Sequence, residues 1–354
     1  MNIIHLFRNL KYGGCQTLAL SLINSSLKDD LHYIVYLNDL PDHEDSMKSD
    51  FSLLSKKIVY LSQKNNSISN IAHNINALAS SLSDVRIISW FYPYSLKLNL
   101  NEKVYHHVGM AALPITSTQW LKNNIVQAIY CRRFIRKQDI AIYASQHIRN
   151  SHSKFYLLNP ITQETVYNGV SLEKFTYEDK KIPIRNFIMI GRLDGSKDFD
   201  SYIRLANLFS SNSCVKFDIA GSGDDLIRLK SINDSLNSKV NFLGNVSNIN
   251  EKIHDYDSLI FLNRKVEGFG NVLVEGMLSG LLVISNNLGA SKEIIDDKET
   301  GFLVDSHEQL ISLIRSIISS NNTYSQIKER ARNVASEKFN SQLCSIKYRE
   351  ILSK

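Results

Sequence analysis

Along the 354 residues, short apolar runs rich in β-branched side chains alternate with longer stretches whose apolar positions recur at helical spacing. Continuous apolar runs suit strands buried on both faces of a parallel sheet, and the amphipathic stretches suit the helices that cover it. In the first half the pattern predicts strands at 2–7, 33–37, 57–61, 85–90, 103–107, 140–144 and 164–167. A charged stretch of low apolar content, 173–185, interrupts it, and strands resume at 186–190, 215–220, 240–243, 258–262 and 282–285. The expected fold class is α/β, with two Rossmann-like, doubly wound domains that meet near residues 170–185 and bind ligand at the carboxyl ends of their strands.

A hydrophobic content of 43% fills two cores of this size. Cys15, Cys131, Cys214 and Cys344 are scattered, without a CxxC pair or metal-ligand spacing, which predicts free thiols in a reducing compartment, no disulfide and no structural zinc. The chain starts directly on a strand-like run with no basic region before it, and no apolar run reaches the roughly 18 residues of a membrane span. A cytoplasmic protein without a signal peptide is the expectation. Lysine and arginine total 41 against 35 acids, a net charge of +6. That excess suits anionic ligands or an acidic membrane surface and is too small to indicate nucleic acid.

The chemistry concentrates after the predicted strand 258–262, where Glu267 and Glu275 stand eight positions apart around Gly268, Phe269, Gly270 and Asn271, with an apolar helical run following. Glycines let the main chain approach a ligand, the N–H groups of a helix start point at phosphate, and a carboxylate at each end can accept from sugar hydroxyls. A surface helix with a capping acid gives the same local pattern. The strand 186–190 runs into Gly191, Arg192 and Leu193, with Lys197 five residues after Arg192. Two cations there suit a diphosphate, above all a departing one. Gly221 and Gly223 close another strand and begin a dinucleotide fingerprint, but Leu226 occupies the third glycine position, so a nicotinamide reading fails. Gly13 and Gly14 follow the first strand, as a loop brought close to ligand or as an ordinary strand-to-helix turn.

The Gly-Arg-Leu turn with its lysine, the turn 220–223, the segments 242–248 and 285–295, the Glu267 to Glu275 stretch and 300–304, in this order, resemble the donor domain of glycosyltransferase family 4 over roughly residues 165–310. The resemblance implies the GT-B fold and a retaining glycosyltransferase. It assigns residues 1–170 to an acceptor-side domain, with a C-terminal helix 336–354 crossing back to it, and residues 171–335 to the nucleotide-sugar donor domain. By the same resemblance Arg192 and Lys197, beside Gly191, would hold the donor diphosphate, Glu267 the transferred sugar and Glu275 the ribose. Backbone N–H groups of Gly268, Phe269, Gly270 and Asn271 would complete the cradle, and Gly244 to Ser247 would border the base. A histidine of the first domain would face the donor sugar. Side chains alternate along a strand, so one of His106 and His107 points into the cleft easily; His107, at the strand end before Val108 and Gly109, is favoured over His106, and the other reading is that both are structural or solvent-exposed. Asp198 after Lys197, and Ser171 after Gly169 and Val170, depart from the family's habit and leave donor preference open.

No cofactor and no metal are implied. The donor would be a UDP-hexose or UDP-N-acetylhexosamine, with a GDP-sugar as the alternative, and the acceptor a glycan or lipid-linked glycan of lipopolysaccharide, O-antigen or capsule. A nucleotide-sugar epimerase of the same fold and a non-catalytic nucleotide-sugar binder are the other readings. For the acceptor side the sequence offers the aromatic run 90–94, which suits sugar stacking or a core. Residues 120–137 place Trp120, Ile125 and Ile129 at helical spacing before Arg132, Arg133, Arg136 and Lys137. This segment suits peripheral contact with an anionic membrane, or a core helix with a solvated basic end.

Overall fold

The structure, a computed structural model, describes the chain except residues 11–12, 26–28, 38–46, 62–66, 91–97, 110–135, 137, 157–161, 179 and 181. It divides into two units, Met1–Gly169 with Ser341–Lys354, and Val170–Asn340.

The first unit runs β1 (Asn2–Phe7), α1 (Gly14–Asn24), β2 (Leu31–Tyr36), α2 (Lys48–Leu54), β3 (Lys57–Tyr60), α3 (Ile68–Ser80), β4 (Val85–Ser89), β5 (Val104–Val108), β6 (Ile140–Tyr143), α4 (Gln146–Tyr156) and β7 (Thr162–Thr165). Its strands form a parallel sheet in the order β3-β2-β1-β4-β5-β6-β7. The order reverses between β1 and β4, which opens a crevice at their carboxyl ends. Alternation along the strands serves two cores. Ile3, Phe7, Ile34 and Ile88 face Leu18, Leu22 and Ile23 of α1, and Ile4, Leu6, Val35 and Ile87 face Ile71, Ile75 and Ala79 of α3. Ser67 starts α3 by accepting the Asn70 N–H at 3.1 Å.

The second unit continues with β8 (Asn186–Ile190), α5 (Phe199–Asn207), β9 (Lys216–Ala220), α6 (Leu226–Ser235), β10 (Asn241–Gly244), α7 (Ile249–Lys252), β11 (Ser258–Phe261), α8 (Asn271–Leu278), β12 (Leu282–Asn286), α9 (Ser291–Ile294), β13 (Phe302–Val304), α10 (His307–Ser319) and α11 (Ser325–Lys338). The order β10-β9-β8-β11-β12-β13 again reverses, here between β8 and β11. Phe187, Met189 and Ile219 pack on Phe199, Tyr202 and Ile203 of α5 and on Ile314 of α10. On the other face α8 lies close to the sheet because Gly276 has no side chain; a Cβ there would come within 3.2 Å of Val283 Cγ1.

The chain's last helix, α12 (Ser341–Leu352), belongs to the first unit. The tail differs from the single helix expected from residue 336. Residues 336–338 end α11, and Phe339 and Asn340 separate it from α12. Phe339, expected on the stripe facing the first unit, instead meets Phe269 edge to face at 5.4 Å, and its carbonyl accepts the Val170 N–H at 2.8 Å. The buried face of α12 is Ser341, Cys344, Tyr348, Ile351 and Leu352, whereas Ile346 is 56% exposed. An amide and a ring contact within the second unit hold Phe339 there, and α12 begins afresh beyond them. Two smaller differences are that the strand expected at 164–167 lies at Thr162–Thr165, and that β13 adds a strand the pattern did not predict.

Cys344, Tyr348, Ile351 and Leu352 all join the core cluster under α1. Deleting residues 341–354 removes their burial, a loss on the order of 6 kcal/mol at roughly 1.5–3 kcal/mol for each large apolar side chain. The expected outcome in a melt of the truncated chain is loss of the first unit's transition while that of the second unit persists.

Candidate active site

Part of the sequence-predicted set of the second unit, Gly191, Lys197 and the Glu267 loop, lies where its sheet reverses order. Gly191 and Arg192 follow β8, Lys197 lies on the loop before α5, and Glu267 to Asn271 connect β11 to α8. Lys197 is only 11% exposed at its side chain, and its ammonium donates to Glu267 Oε2 and to Asn263 Oδ1, the latter at 2.7 Å. The same ammonium sits 4.2 Å from the centre of the Phe261 ring. The structure thus joins the lysine assigned to phosphate directly to the carboxylate assigned to sugar.

Several contacts fix this meeting. Lys197 and Asn263 form an antiparallel bridge, and the Arg264 and Lys265 N–H groups donate to Ser196 O at 2.9 and 3.2 Å. Arg264 Nε donates to Asp198 Oδ1 at 3.0 Å, and Arg264 also pairs with Asp200, which in turn accepts from Arg228 at 2.6 Å. Asn263 exchanges hydrogen bonds with Asn286. Its N–H donates to Asn286 Oδ1 at 3.0 Å, and its carbonyl accepts from Asn286 Nδ2 at 2.7 Å. Asn263, Asn286 and Phe261 were not singled out by the sequence pattern. Their only advance signal is position, at the carboxyl ends of neighbouring strands.

Glycines serve close approach. At Gly289, φ is +71°, and a Cβ would lie 2.6 Å from Glu267 O, so the 285–291 loop presses against the Glu267 peptide. Gly270 caps α8 in the left-handed region at φ +101°. Gly221 and Gly223 receive the Gly191 loop instead of a dinucleotide: a Cβ at either would fall 1.8 Å from Gly191 O and 2.2 Å from Leu193 O. Gly244 ends the edge strand β10, and its carbonyl accepts the Gly221 N–H at 2.8 Å.

Arg192 stands apart. It is 79% exposed, and its Nε pairs with Asp194 Oδ2 at 2.7 Å. Burial acts to raise the Asp194 pKa, but hydrogen bonds from Ser196 and the Arg192 charge hold it below the usual carboxylate value. Glu275 sits one helical stretch into α8, and burial pushes its carboxyl up to about 7 against the opposing charge of Lys174.

In the first unit, Gly13 caps α1, which begins at Gly14 with no side-chain cap and no acid in its first turn. His107 and His106 are both buried on β5. His106 Nε2 lies 3.6 Å from Asp139 Oδ2. Burial works against Asp139 ionising, yet the neighbouring His106 and hydrogen bonds from Arg136 and the Val104 N–H hold its pKa at about 2. His107 Nδ1 is 2.7 Å from Tyr348 Oη, and burial lowers the His107 pKa to about 4. Trp90, from the aromatic run, is core, 4.9 Å centre to centre from His107. Arg136 is engaged with Asp139 and with the Leu100 and Glu102 carbonyls. The remainder of 120–137 and residues 91–94 lie outside the described residues.

Residues 176–334 match the family described as glycosyl transferases group 1. Over the whole chain, Anabaena Alr3699/HepE in complex with UDP-glucose superposes with a TM-score of 0.81 at 18% identity, covering 100% of this chain and 99% of that one. The fold is GT-B, and the family match lies within the second unit. An uncharacterized 41.2 kDa protein in the cps region of Klebsiella pneumoniae is 24% identical over 96% of each chain. A Campylobacter jejuni protein named GalNAc-alpha-(1->4)-GalNAc-alpha-(1->3)-diNAcBac-PP-undecaprenol alpha-1,4-N-acetyl-D-galactosaminyltransferase is 28% identical over 50% of this chain and 51% of its own. Several curated relatives match over only 37% to 51% of their length. Among the described residues no helix is long and apolar enough to cross a membrane.

Within the matched residues Glu275 gives a pH signature. Its carboxyl ionises near 7 when folded and near the ordinary value of 4.5 when unfolded. The folded state therefore keeps a proton that the unfolded state releases, and stability falls as pH rises through that window, by on the order of 3 kcal/mol. Glu275→Gln removes the titration. Urea unfolding at about pH 4.5 and pH 8 should show the variant gaining on wild type at the higher pH.

Proposed function

We propose that this protein is a retaining glycosyltransferase that moves a sugar from a UDP-hexose or UDP-N-acetylhexosamine to a glycan or lipid-linked glycan acceptor in bacterial surface polysaccharide assembly. The observation that carries the reading is the Lys197 and Glu267 pair at the mouth of β8 and β11, beside the start of α8. The cps-region relative and the undecaprenol-linked acceptor in the Campylobacter protein's name support the acceptor class. The UDP-glucose complex of the Anabaena protein supports the donor class.

Transfer breaks the bond between the anomeric carbon and a diphosphate oxygen while the acceptor hydroxyl oxygen bonds to the same carbon. Its proton leaves on the departing diphosphate. Negative charge grows on that diphosphate as the bond lengthens, and Lys197, Arg192 and the N–H groups at the start of α8 are the donors that stabilise it. In the free site the Lys197 ammonium already has carboxylate and amide acceptors. A diphosphate competes for it, and Glu267, relieved of part of that contact, turns its oxygens to sugar hydroxyls. Glu275, farther along α8, accepts from the ribose. Cations and helix N–H groups take the role that a divalent ion plays in other transferases.

A thermal-shift screen of nucleotide sugars tests the reading, because a ligand of the native state raises stability by mass action. One UDP-sugar is expected to stand out, with free UDP released only when an acceptor is present. Conversion of the donor to its epimer without an acceptor would favour an epimerase instead.

Glu275→Ala is expected to raise the donor KM with kcat little changed, since the ribose contact is the same before and during reaction. Lys197→Ala is expected to lower kcat on the order of 10²-fold. EDTA should leave most activity in place; loss that Mn²⁺ or Mg²⁺ restores would contradict the assignment of diphosphate charge to Lys197, Arg192 and the start of α8.

A further inference from the structure

In the first unit one hydrogen bond joins two segments 241 residues apart, the His107 ring on β5 and the Tyr348 phenol on α12, at 2.7 Å. Both side chains are buried, with 2% of each residue exposed. Burial holds the ring neutral at physiological pH, so it carries one hydrogen, on either Nδ1 or Nε2. His107 Nε2 has no hydrogen-bond partner among the described residues.

Counting hydrogens separates the two tautomers. If Nδ1 carried the hydrogen and donated to the phenol oxygen, the phenol hydrogen and the Nε2 lone pair would both be stranded in a buried place. If the phenol donates to Nδ1, the one unmet donor is Nε2–H. A stranded buried polar group costs roughly 1–3 kcal/mol, so the second arrangement is preferred. Nε2 is a buried, unmet donor beside Gly109, where a Cβ would come within 3.1 Å of it and within 3.6 Å of Cys15 Sγ, so glycine keeps a side chain from packing against the nitrogen near the start of α1. The Trp90 ring packs against the His107 ring, tilted by 39° with centroids 4.9 Å apart, and limits its rotation.

We infer that Tyr348 is a positioning residue: its hydroxyl fixes His107 as the Nε2–H tautomer, so that the ring presents a hydrogen-bond donor to a substrate oxygen. The catalytic part of this inference rests on the proposed glycosyl transfer together with the family resemblance, which sets a first-unit histidine, His107, against the transferred sugar. The wrong tautomer would offer that oxygen a lone pair. The last helix of the chain, besides completing the core, would thus set the chemistry of a residue in the middle of the sheet.

The experiment uses the full chain labelled with ¹⁵N-histidine, with His107 assigned from the His107→Ala spectrum. Wild type is expected to show His107 protonated at Nε2 at neutral pH, and Tyr348→Phe to show a mixture or the Nδ1–H form. In transfer assays Tyr348→Phe should lower kcat about tenfold, the worth of one buried hydrogen bond, with donor KM within about twofold. In a His107→Ala background the same substitution should cost nothing further, because the phenol acts through the ring. A structural role would cost the same in both backgrounds, and that result overturns the inference. So does Nδ1 protonation in wild type, a reading that does not depend on whether Tyr348→Phe folds well. A tautomer that shifts as expected while His107→Ala transfers sugar at the wild-type rate overturns the catalytic part and leaves the glycosyltransferase reading standing; absence of transfer by wild type with every donor overturns that reading itself.

Discussion

The second unit is organised around an ammonium that two loops share. Lys197 comes from the loop after β8 and Glu267 from the loop after β11, 70 residues later, and both are drawn partly out of water to meet. Partly buried charges of opposite sign are costly to separate, because removing either leaves the other without compensation. The surrounding structure is arranged accordingly. Ser196 O accepts from two amides of the β11 loop, Arg264 reaches back to Asp198 and Asp200, and Asn286 on the next strand holds Asn263 at both its N–H and its carbonyl. These contacts leave a cation and a carboxylate side by side at the reversal of strand order, where a ligand carrying both phosphate and hydroxyl groups can engage each.

Steric closeness makes this possible, and it accounts for glycines that look like phosphate motifs in the sequence. The turn at Gly221 and Gly223 suggests a nucleotide fingerprint, yet its missing side chains admit the carbonyls of Gly191 and Leu193. That contact, with hydrogen bonds from the Gly191 N–H to Ala220 O and from the Leu193 N–H to Ser222 O, fixes the path of the loop leading to Lys197. Gly289 does the same for Glu267 from the opposite side. Gly270, left-handed at the start of α8, does match the role a glycine-rich anion site suggests.

What the sequence made legible was local. Parallel strands are apolar on both faces, so β8 and β11 stand out as unbroken runs, and the Glu267 to Glu275 spacing survives as written because a turn and a helix start are read within nine residues. Partnerships across the chain left no such trace. Trp90 Nε1 donates to His5 Nδ1 at 3.1 Å, which obliges neutral His5 to donate from Nε2 to His32 Nδ1 at 3.0 Å, and nothing in residues 5, 32 and 90 taken singly announces the relay. Asn263 belongs to no motif, and Asn286, though inside the segment 285–295, carries no sign there of its partnership with Asn263. The tail misled because Phe339 has the right spacing for the last helix, and its ring and its carbonyl are claimed by residues of the second unit.

Glu267 and Glu275 show how little a residue type specifies without its surroundings. Both are carboxylates on one short stretch, and a sequence assigns them by analogy. The structure gives one an ammonium partner at the loop and places the other inside α8, where desolvation outweighs the charge of Lys174 and keeps a proton near neutrality. A hydroxyl donating to Glu275 favours the ionised form, so a ligand that binds there releases a proton near pH 7, whereas at Glu267 an incoming ligand must first share an existing ion pair. A ligand of the proposed kind would therefore act on the two ends of the motif in different ways: at one through protonation, at the other through exchange of a partner.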